Sequence, residues 1–305
     1  MRIASFLPGA TEIAFALGFG DEIVGVTHEC DYPSEARTKP VLVRSLVPTG
    51  TLSPSEIHSA VGERVSKREP LYEVDLDALR AAQPDLVLAQ ELCDVCATPW
   101  ATVVEAVRQV SPEAKFLNVS PKRITQVLED VCRVAVAAGC PMAGEVLTMR
   151  LRSRINEIRA RSQGSGSLPR VVCLEWTDPL IVAGHWVPEM IRHIGAMDPL
   201  GEEGKPARRV TWDEVVQAKP EVLLVMPCGF DAEHALAQVP RLVAMPGWAD
   251  LPCVKRPRVW AVDANAYFSR PGPRLVEGIE ILGKILHPAR GPWNVIDGTY
   301  RRWEG

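Results

Sequence analysis

The chain has 305 residues, 47% of them apolar and 24% charged, with a formal net charge of −4, an ordinary globular composition whose length corresponds to about two domains. No stretch approaches the roughly 18 uninterrupted apolar residues of a membrane-spanning helix. The charges are dispersed and eight cysteines are too sparse for a disulfide scaffold, which excludes an electrostatic nucleic-acid footprint and a disulfide mini-protein.

In chain order, Arg2–Phe6 predicts a strand and Thr11–Leu17 a helix closed by Gly18 and Gly20. Glu22–Thr27 reads as the second strand and runs into His28-Glu29-Cys30-Asp31-Tyr32-Pro33. Residues 34–69 are mainly polar, with one helix expected after the Ser53-Pro54 start signal. Asp75–Ala82 predicts a helix, Asp85–Ala89 a buried strand, Thr98–Val110 a helix and Lys115–Val119 a strand. Ile124, Val127, Leu128, Val131 and Val134 keep a helical period over Pro121–Ala138, and Pro141 restarts a helix that runs to about Arg161. After the Gly164-Ser165-Gly166-Ser167 loop, strands are expected at Arg170–Glu175, Ile181–Ala183, Val222–Met226 and Arg258–Val262. Helices are expected at Pro188–Ile194, Trp212–Ala218 and Arg274–Leu286.

This alternation predicts an α/β fold with two Rossmann-like lobes joined by a long backbone helix. The expected boundaries are 1–120 for the first lobe, 121–163 for the helical spine, 164–287 for the second lobe and 288–305 for a surface tail. An internal echo supports two related halves. Leu76-Asp77-Ala78-Leu79-Arg80-Ala81-Ala82-Gln83-Pro84-Asp85-Leu86-Val87-Leu88 parallels Trp212-Asp213-Glu214-Val215-Val216-Gln217-Ala218-Lys219-Pro220-Glu221-Val222-Leu223-Leu224. Each is an amphipathic helix, a Pro that stops it, an acid and a buried strand.

Ligands of open α/β sheets bind beyond the carboxyl ends of the strands, and chemically capable residues fall there. His28 and Cys30 follow the second strand, and Cys93 and Cys96 lie in the loop after Ala89. Three thiols and an imidazole suit Zn or another soft metal, although a single C-x-x-C is a weak signature, and packed loop thiols are the alternative. Trp176 and Cys228 also follow strands, and His185-Trp186 follows Gly184. There is no G-x-G-x-x-G, P-loop, G-x-S-x-G or H-E-x-x-H motif, so no enzyme class gains support.

The Ser5-Phe6-Leu7-Pro8-Gly9-Ala10-Thr11-Glu12 opening, the Asp31-Tyr32-Pro33 turn, the two echoed units and Asn265-Ala266-Tyr267-Phe268-Ser269-Arg270-Pro271-Gly272-Pro273-Arg274 together resemble the cobalamin- and iron-chelate-binding proteins of ABC importers, the helical-backbone class III substrate-binding proteins. The resemblance spans about residues 2–287. It implies a cobalamin-like corrinoid or other metal-chelate or tetrapyrrole ligand clamped between two lobes, with no chemistry done on it. Pro8, Tyr32, Tyr267, Phe268 and Arg270 match the family's ligand-lining segments. Gln90 stands where cobalamin binders tend to place a tryptophan, and Tyr72, Trp176 and Trp186 are expected to supply replacement aromatic surface. Asp77 and Asp213 match the acidic positions, one per lobe, that dock on the permease.

Residues 1–9 do not show the basic start, long apolar run and cleavage site of a secretory signal. They predict a cytoplasmic relative of the importer proteins, or a periplasmic or cell-surface one if the native N-terminus is longer. The competing expectation is a cytosolic thiol-metal protein or enzyme using Cys30, Cys93 and Cys96.

Overall fold

The computed structural model describes residues 1–48, 52–91, 97–164 and 167–305, which form two compact units. The first unit comprises Met1–Pro121, Thr125–Arg150 and Pro271–Pro273, and the second comprises Lys122–Ile124, Leu151–Arg270 and Arg274–Gly305. The α/β architecture expected from the sequence is present, with one six-stranded sheet in each unit.

The first sheet contains β1 (Ile3–Ser5), β2 (Ile23–Thr27), β3 (Val41–Ser45), β4 (Tyr72–Val74), β5 (Leu86–Ala89) and β6 (Lys115–Asn118), in the order β4-β3-β2-β1-β5-β6. All neighbours are parallel except β3 and β4. Strands β1 and β5 are buried at every residue, and a parallel strand covered on both faces reads as one apolar run. Strands β3 and β4 lie in and beside the stretch that the sequence marks as polar. Leu42 and Val43 are fully buried, yet Lys39, Pro40 and Arg44 flank them, so the apolar signal is too short to stand out.

The second sheet contains β7 (Val171–Thr177), β8 (Leu180–Val182), β9 (Arg208–Arg209), β10 (Val222–Val225), β11 (Val259–Val262) and β12 (Tyr300–Arg302), in the order β12-β11-β10-β7-β8-β9. Its centre, β11-β10-β7, is parallel, and its outer strands are antiparallel. The expected surface tail therefore supplies an edge strand. Tyr300 pairs with Val262, and the Arg302 guanidinium lies 5.9 Å from the centre of the Trp260 ring.

The echoed sequence is an echoed structure. Helix Leu76–Ala82 is capped by Asp75, whose side chain accepts from the Ala78 N–H, and helix Trp212–Ala218 by Thr211, in a reciprocal capping box with Glu214. Both helices end on a non-glycine residue in the left-handed region, Gln83 at φ 39° and Lys219 at φ 47°, followed by the Pro. An arginine at the head of each unit's first strand clamps that corner. Arg2 Nε donates to the Ala82 and Gln83 carbonyls at 2.7 and 3.2 Å, and Arg170 Nε to the Lys219 carbonyl at 3.0 Å. The acid after each Pro returns the bond, accepting from the arginine's backbone N–H at Asp85 Oδ2 (2.8 Å) and Glu221 Oε2 (3.1 Å).

The two mid-chain helices are Ile124–Ala137 and Pro141–Ser162, and the division between the units falls inside the second, after Arg150. They pack closely at Gly144, where an added Cβ would lie 2.6 Å from the Ala135 Cβ. The Ile124 N–H, an orphan at its helix start, donates to Glu189 Oε2 at 2.9 Å within the second unit. Burial pushes the Glu189 carboxyl up, but hydrogen bonds from His193 and Ile124 and the nearby positive charges outweigh it and hold it below its ordinary value.

Two outcomes are expected in urea unfolding. Arg170→Ala lowers stability by about 1–2 kcal/mol, because it leaves the Lys219 carbonyl without its donor and removes the guanidinium 3.7 Å from Glu221, while the bond from the backbone N–H of residue 170 to Glu221 remains. Glu189→Gln costs about 1–2 kcal/mol at pH 7. Because the folded carboxyl is depressed, its contribution is present above the ordinary value of 4.5 and is lost as pH falls through the folded value, so the gap to wild type closes in acid.

Candidate functional site

The carboxyl ends of the parallel strands carry the candidate residues in each unit. In the first unit, β1 turns directly into helix Pro8–Ala16, with Pro8 in its first turn. A buried chain of small polar groups holds this corner. Thr11 Oγ1 donates to Ser5 Oγ at 2.8 Å, and Cys30 Sγ lies 3.1 Å from the Thr11 hydroxyl and 3.3 Å from the Thr27 hydroxyl. The Pro271–Pro273 segment closes on the same corner: an added Cβ on Gly9 would lie 2.7 Å from the Pro271 carbonyl oxygen, so only glycine permits that approach. Tyr32 is exposed and Gln90 buried. Tyr72 is half-buried, opposite Ser45 at the end of β3, and its ring centre is 6.4 Å from that of His28. His28 Nδ1 is 3.1 Å from the Val43 carbonyl oxygen. At the ends of β5 and β6, Glu91 and Asn118 are joined at 2.8 Å and Ser120 donates to Asn118.

The expected metal site gains nothing from these positions. Cys30 is buried among hydroxyls while His28 is exposed, and Cys93 and Cys96 lie outside the described residues. Among the described residues no group of three or more His, Cys, Asp or Glu side chains is placed to hold a metal ion. Hydroxyl partners on both sides mark Cys30 as a packed thiol.

In the second unit, half-buried Trp176 near the end of β7 donates its Nε1–H to the Asp178 carbonyl at 3.1 Å. Its ring meets Phe230 edge-on with centres 5.9 Å apart, and Phe230 in turn lies 6.4 Å from the His234 ring. His234 Nδ1 donates to Asp231 Oδ1 at 2.8 Å. After β11, Arg270 Nη2 donates to Asn265 Oδ1 at 2.9 Å. Burial pushes the neighbouring Asp263 carboxyl up against the opposing Ala266 N–H bond, and the charge of Asp231 adds to the upward push.

Trp186, Tyr267, Phe268 and Arg270 are expected ligand contacts, but each is less than 9% exposed. Trp186 donates its Nε1–H to the Phe268 carbonyl at 2.7 Å, and the Arg274 guanidinium lies 5.5 Å from the Tyr267 ring centre. In this structure Trp186 and Phe268 support the chain, fixing it just before Arg270. Phe230 and His234 escape the sequence reading. Their signal is slight, an aromatic one residue past the Pro227-Cys228-Gly229 bend that ends β10.

Asp77 and Asp213 occupy the same second position of the two echoed helices. Both are exposed, and Asp77 is ion-paired with Arg80.

Residues 3–266 match the family described as periplasmic binding protein. The chain is similar to a vitamin B12-binding protein of Vibrio cholerae serotype O1, at 24% identity over 281 residues, which cover 92% of this chain and 86% of that one. An uncharacterised ABC transporter substrate-binding lipoprotein of Bacillus subtilis, YvrC, is 25% identical over 294 residues, covering 94% and 80% of the two chains. In fold, the chain is similar to the apo periplasmic heme-binding protein RhuT from Roseiflexus sp. RS-1, with a TM-score of 0.70, 24% identity and coverage of 95% and 99%. The matching family consists of substrate-binding proteins of transporters rather than enzymes, as the sequence reading expected. The cytoplasmic location read from residues 1–9 is overturned: the family and the Roseiflexus protein are periplasmic and the Bacillus relative is a lipoprotein.

Trp186→Phe replaces the indole with a smaller aromatic ring and removes one buried donor, leaving the Phe268 carbonyl without it. A loss of about 1–2 kcal/mol in thermal unfolding is expected, and an unchanged melting curve contradicts the supporting role.

Proposed function

The chain belongs to the periplasmic binding protein family, and from that membership we propose that it captures a flat, metal-containing tetrapyrrole, a corrinoid first of all, for delivery to an ABC importer. The observation that carries this reading is the aromatic surface at the strand ends. Tyr72 with His28 serves the first unit and Trp176 with Phe230 the second. Aromatic side chains bury large flat area with little loss of side-chain freedom, which suits a macrocycle. Arg270, buried and held by Asn265, is assigned with Trp186 to supporting the chain rather than to contacting the ligand. The vitamin B12-binding relative supports the corrinoid. Asp77 and Asp213, exposed at matching positions, are the proposed docking acids for arginines of the permease.

A second reading, heme, rests on His234. Its Nδ1–H is held by Asp231, an arrangement that directs the Nε2 lone pair outward, as in metal-ligating histidines.

Titration with cyanocobalamin and with hemin, followed by absorbance and calorimetry, tests both. Cyanocobalamin is expected to bind more tightly than about 100 μM, or about −5.5 kcal/mol, and Trp176→Ala and Phe230→Ala each to weaken it by about 1–2 kcal/mol. Binding of hemin alone, with a spectrum that changes in His234→Ala, selects heme. Binding of neither removes the tetrapyrrole proposal.

A further inference from the structure

Helix Pro141–Ser162 carries two seams, and its own chain uses one. Leu151, Ile155 and Ile158 on the inner side are at most 5% exposed. On the outer side Met142, Val146 and Met149 are 65%, 46% and 66% exposed, and with Ser153 and Asn156 they recur at alternating four- and three-residue steps. That is the spacing of a helix–helix seam, with Val146 and Ser153 at one core position and Met142, Met149 and Asn156 at the other. On the preceding helix Val136 is also 63% exposed. No other segment of this length among the described residues exposes so many large apolar side chains.

The charges bordering the seam give the orientation. Glu145 and Arg152 lie on one flank, Arg150 and Glu157 on the other, and all four are exposed. Among the described residues Glu145, Arg150 and Arg152 have no ion-pair partner in their own chain, while Glu157 meets Arg161 at 3.6 Å. In a parallel two-helix seam a flanking residue meets the residue five positions later on the second helix. Glu145 then faces Arg150, and Arg152 faces Glu157, with opposite signs at every contact and each contact made twice about the two-fold axis. An antiparallel seam matches Glu145 with Arg152 but sets Arg150 against Ala143, which carries no charge.

We propose that this outer face is the docking site for a second copy of this chain, packed in parallel through Val146 and Met149 with Glu145–Arg150 and Arg152–Glu157 ion pairs across the seam. The seam is short, so a reversible dimer is expected rather than an obligate one.

The test is sedimentation equilibrium of the full chain in a Cys140→Ser background, because Cys140 is an exposed free thiol that would cross-link by itself. Concentration-dependent dimerisation is expected, abolished by Val146→Asp with Met149→Asp and weakened about tenfold by Glu145→Arg or Arg150→Glu alone. The double exchange Glu145→Arg with Arg150→Glu restores it, since the two charges merely trade places. All these positions are on the surface, so circular dichroism and thermal unfolding are expected to stay as in wild type. Mild oxidation of Val146→Cys is expected to trap a disulfide dimer, since a parallel seam sets residue 146 against itself. A chain that stays monomeric to a Kd of about 1 mM, a dimer indifferent to the aspartate substitutions, or a dimer in which Val146→Cys does not cross-link would each overturn the proposal.

Discussion

One corner, built twice, carries the architecture. An arginine just ahead of a unit's first strand reaches back to the carbonyls where a helix ends, and the acid that opens the next strand accepts from that arginine's own backbone. Arg2 with Asp85 and Arg170 with Glu221 thereby fix two strands side by side, β1 with β5 and β7 with β10. The helix end needs this help, since Gln83 and Lys219 hold backbone angles that side-chain-bearing residues adopt at a cost. Apart from Tyr72 on β4, the candidate ligand contacts lie on loops at the other end of these strands or their neighbours, so the corner at one end bears on the geometry at the opposite end.

At those opposite ends there is a division of labour. Groups that hold backbone in place are inside: the Ser5, Thr11, Cys30 and Thr27 chain under the first loop, and Trp186 beneath Phe268 in the second unit. Groups with accessible aromatic surface, Tyr32, Tyr72, Trp176 and Phe230, are at least partly open to solvent. A protein that binds cargo without transforming it needs preformed surface more than titrating groups, because rigidity reduces the entropy cost of binding.

The sequence is most legible where burial is continuous. Strands β5, β7 and β10 announce themselves because a parallel strand covered on both faces is a run of Val, Leu and Ile, and the two echoed helix-Pro-strand units follow from the stop that Pro imposes. Strands β4, β9 and β12 are hidden because short edge strands lack that signature, Arg208–Arg209 has no apolar residue at all, and interior β3 is hidden because its apolar run is flanked by Lys39, Pro40 and Arg44. The strand-end rule points to Trp176, but not to Phe230 and His234, whose proximity to Trp176 comes only with the path of the chain past β10. Trp186 and Phe268 are buried and joined to each other, which the presence of an aromatic residue in the sequence does not reveal. The location expected from residues 1–9 fails because a compartment is not encoded in a strand and its loop.

The short outer strands have a consequence of their own. Parallel sheet cores are long-range structures that assemble slowly and, while incomplete, offer unpaired backbone to any passing strand. Here β4, β9 and β12 are two or three residues each, run antiparallel to their neighbours, and carry Glu73, Arg208, Arg209, Arg301 and Arg302. Such edges are too brief and too charged to template another chain. Residues 300–302 in particular pair along the otherwise open flank of Val259–Val262 and leave a short, arginine-bearing strand at the sheet's edge.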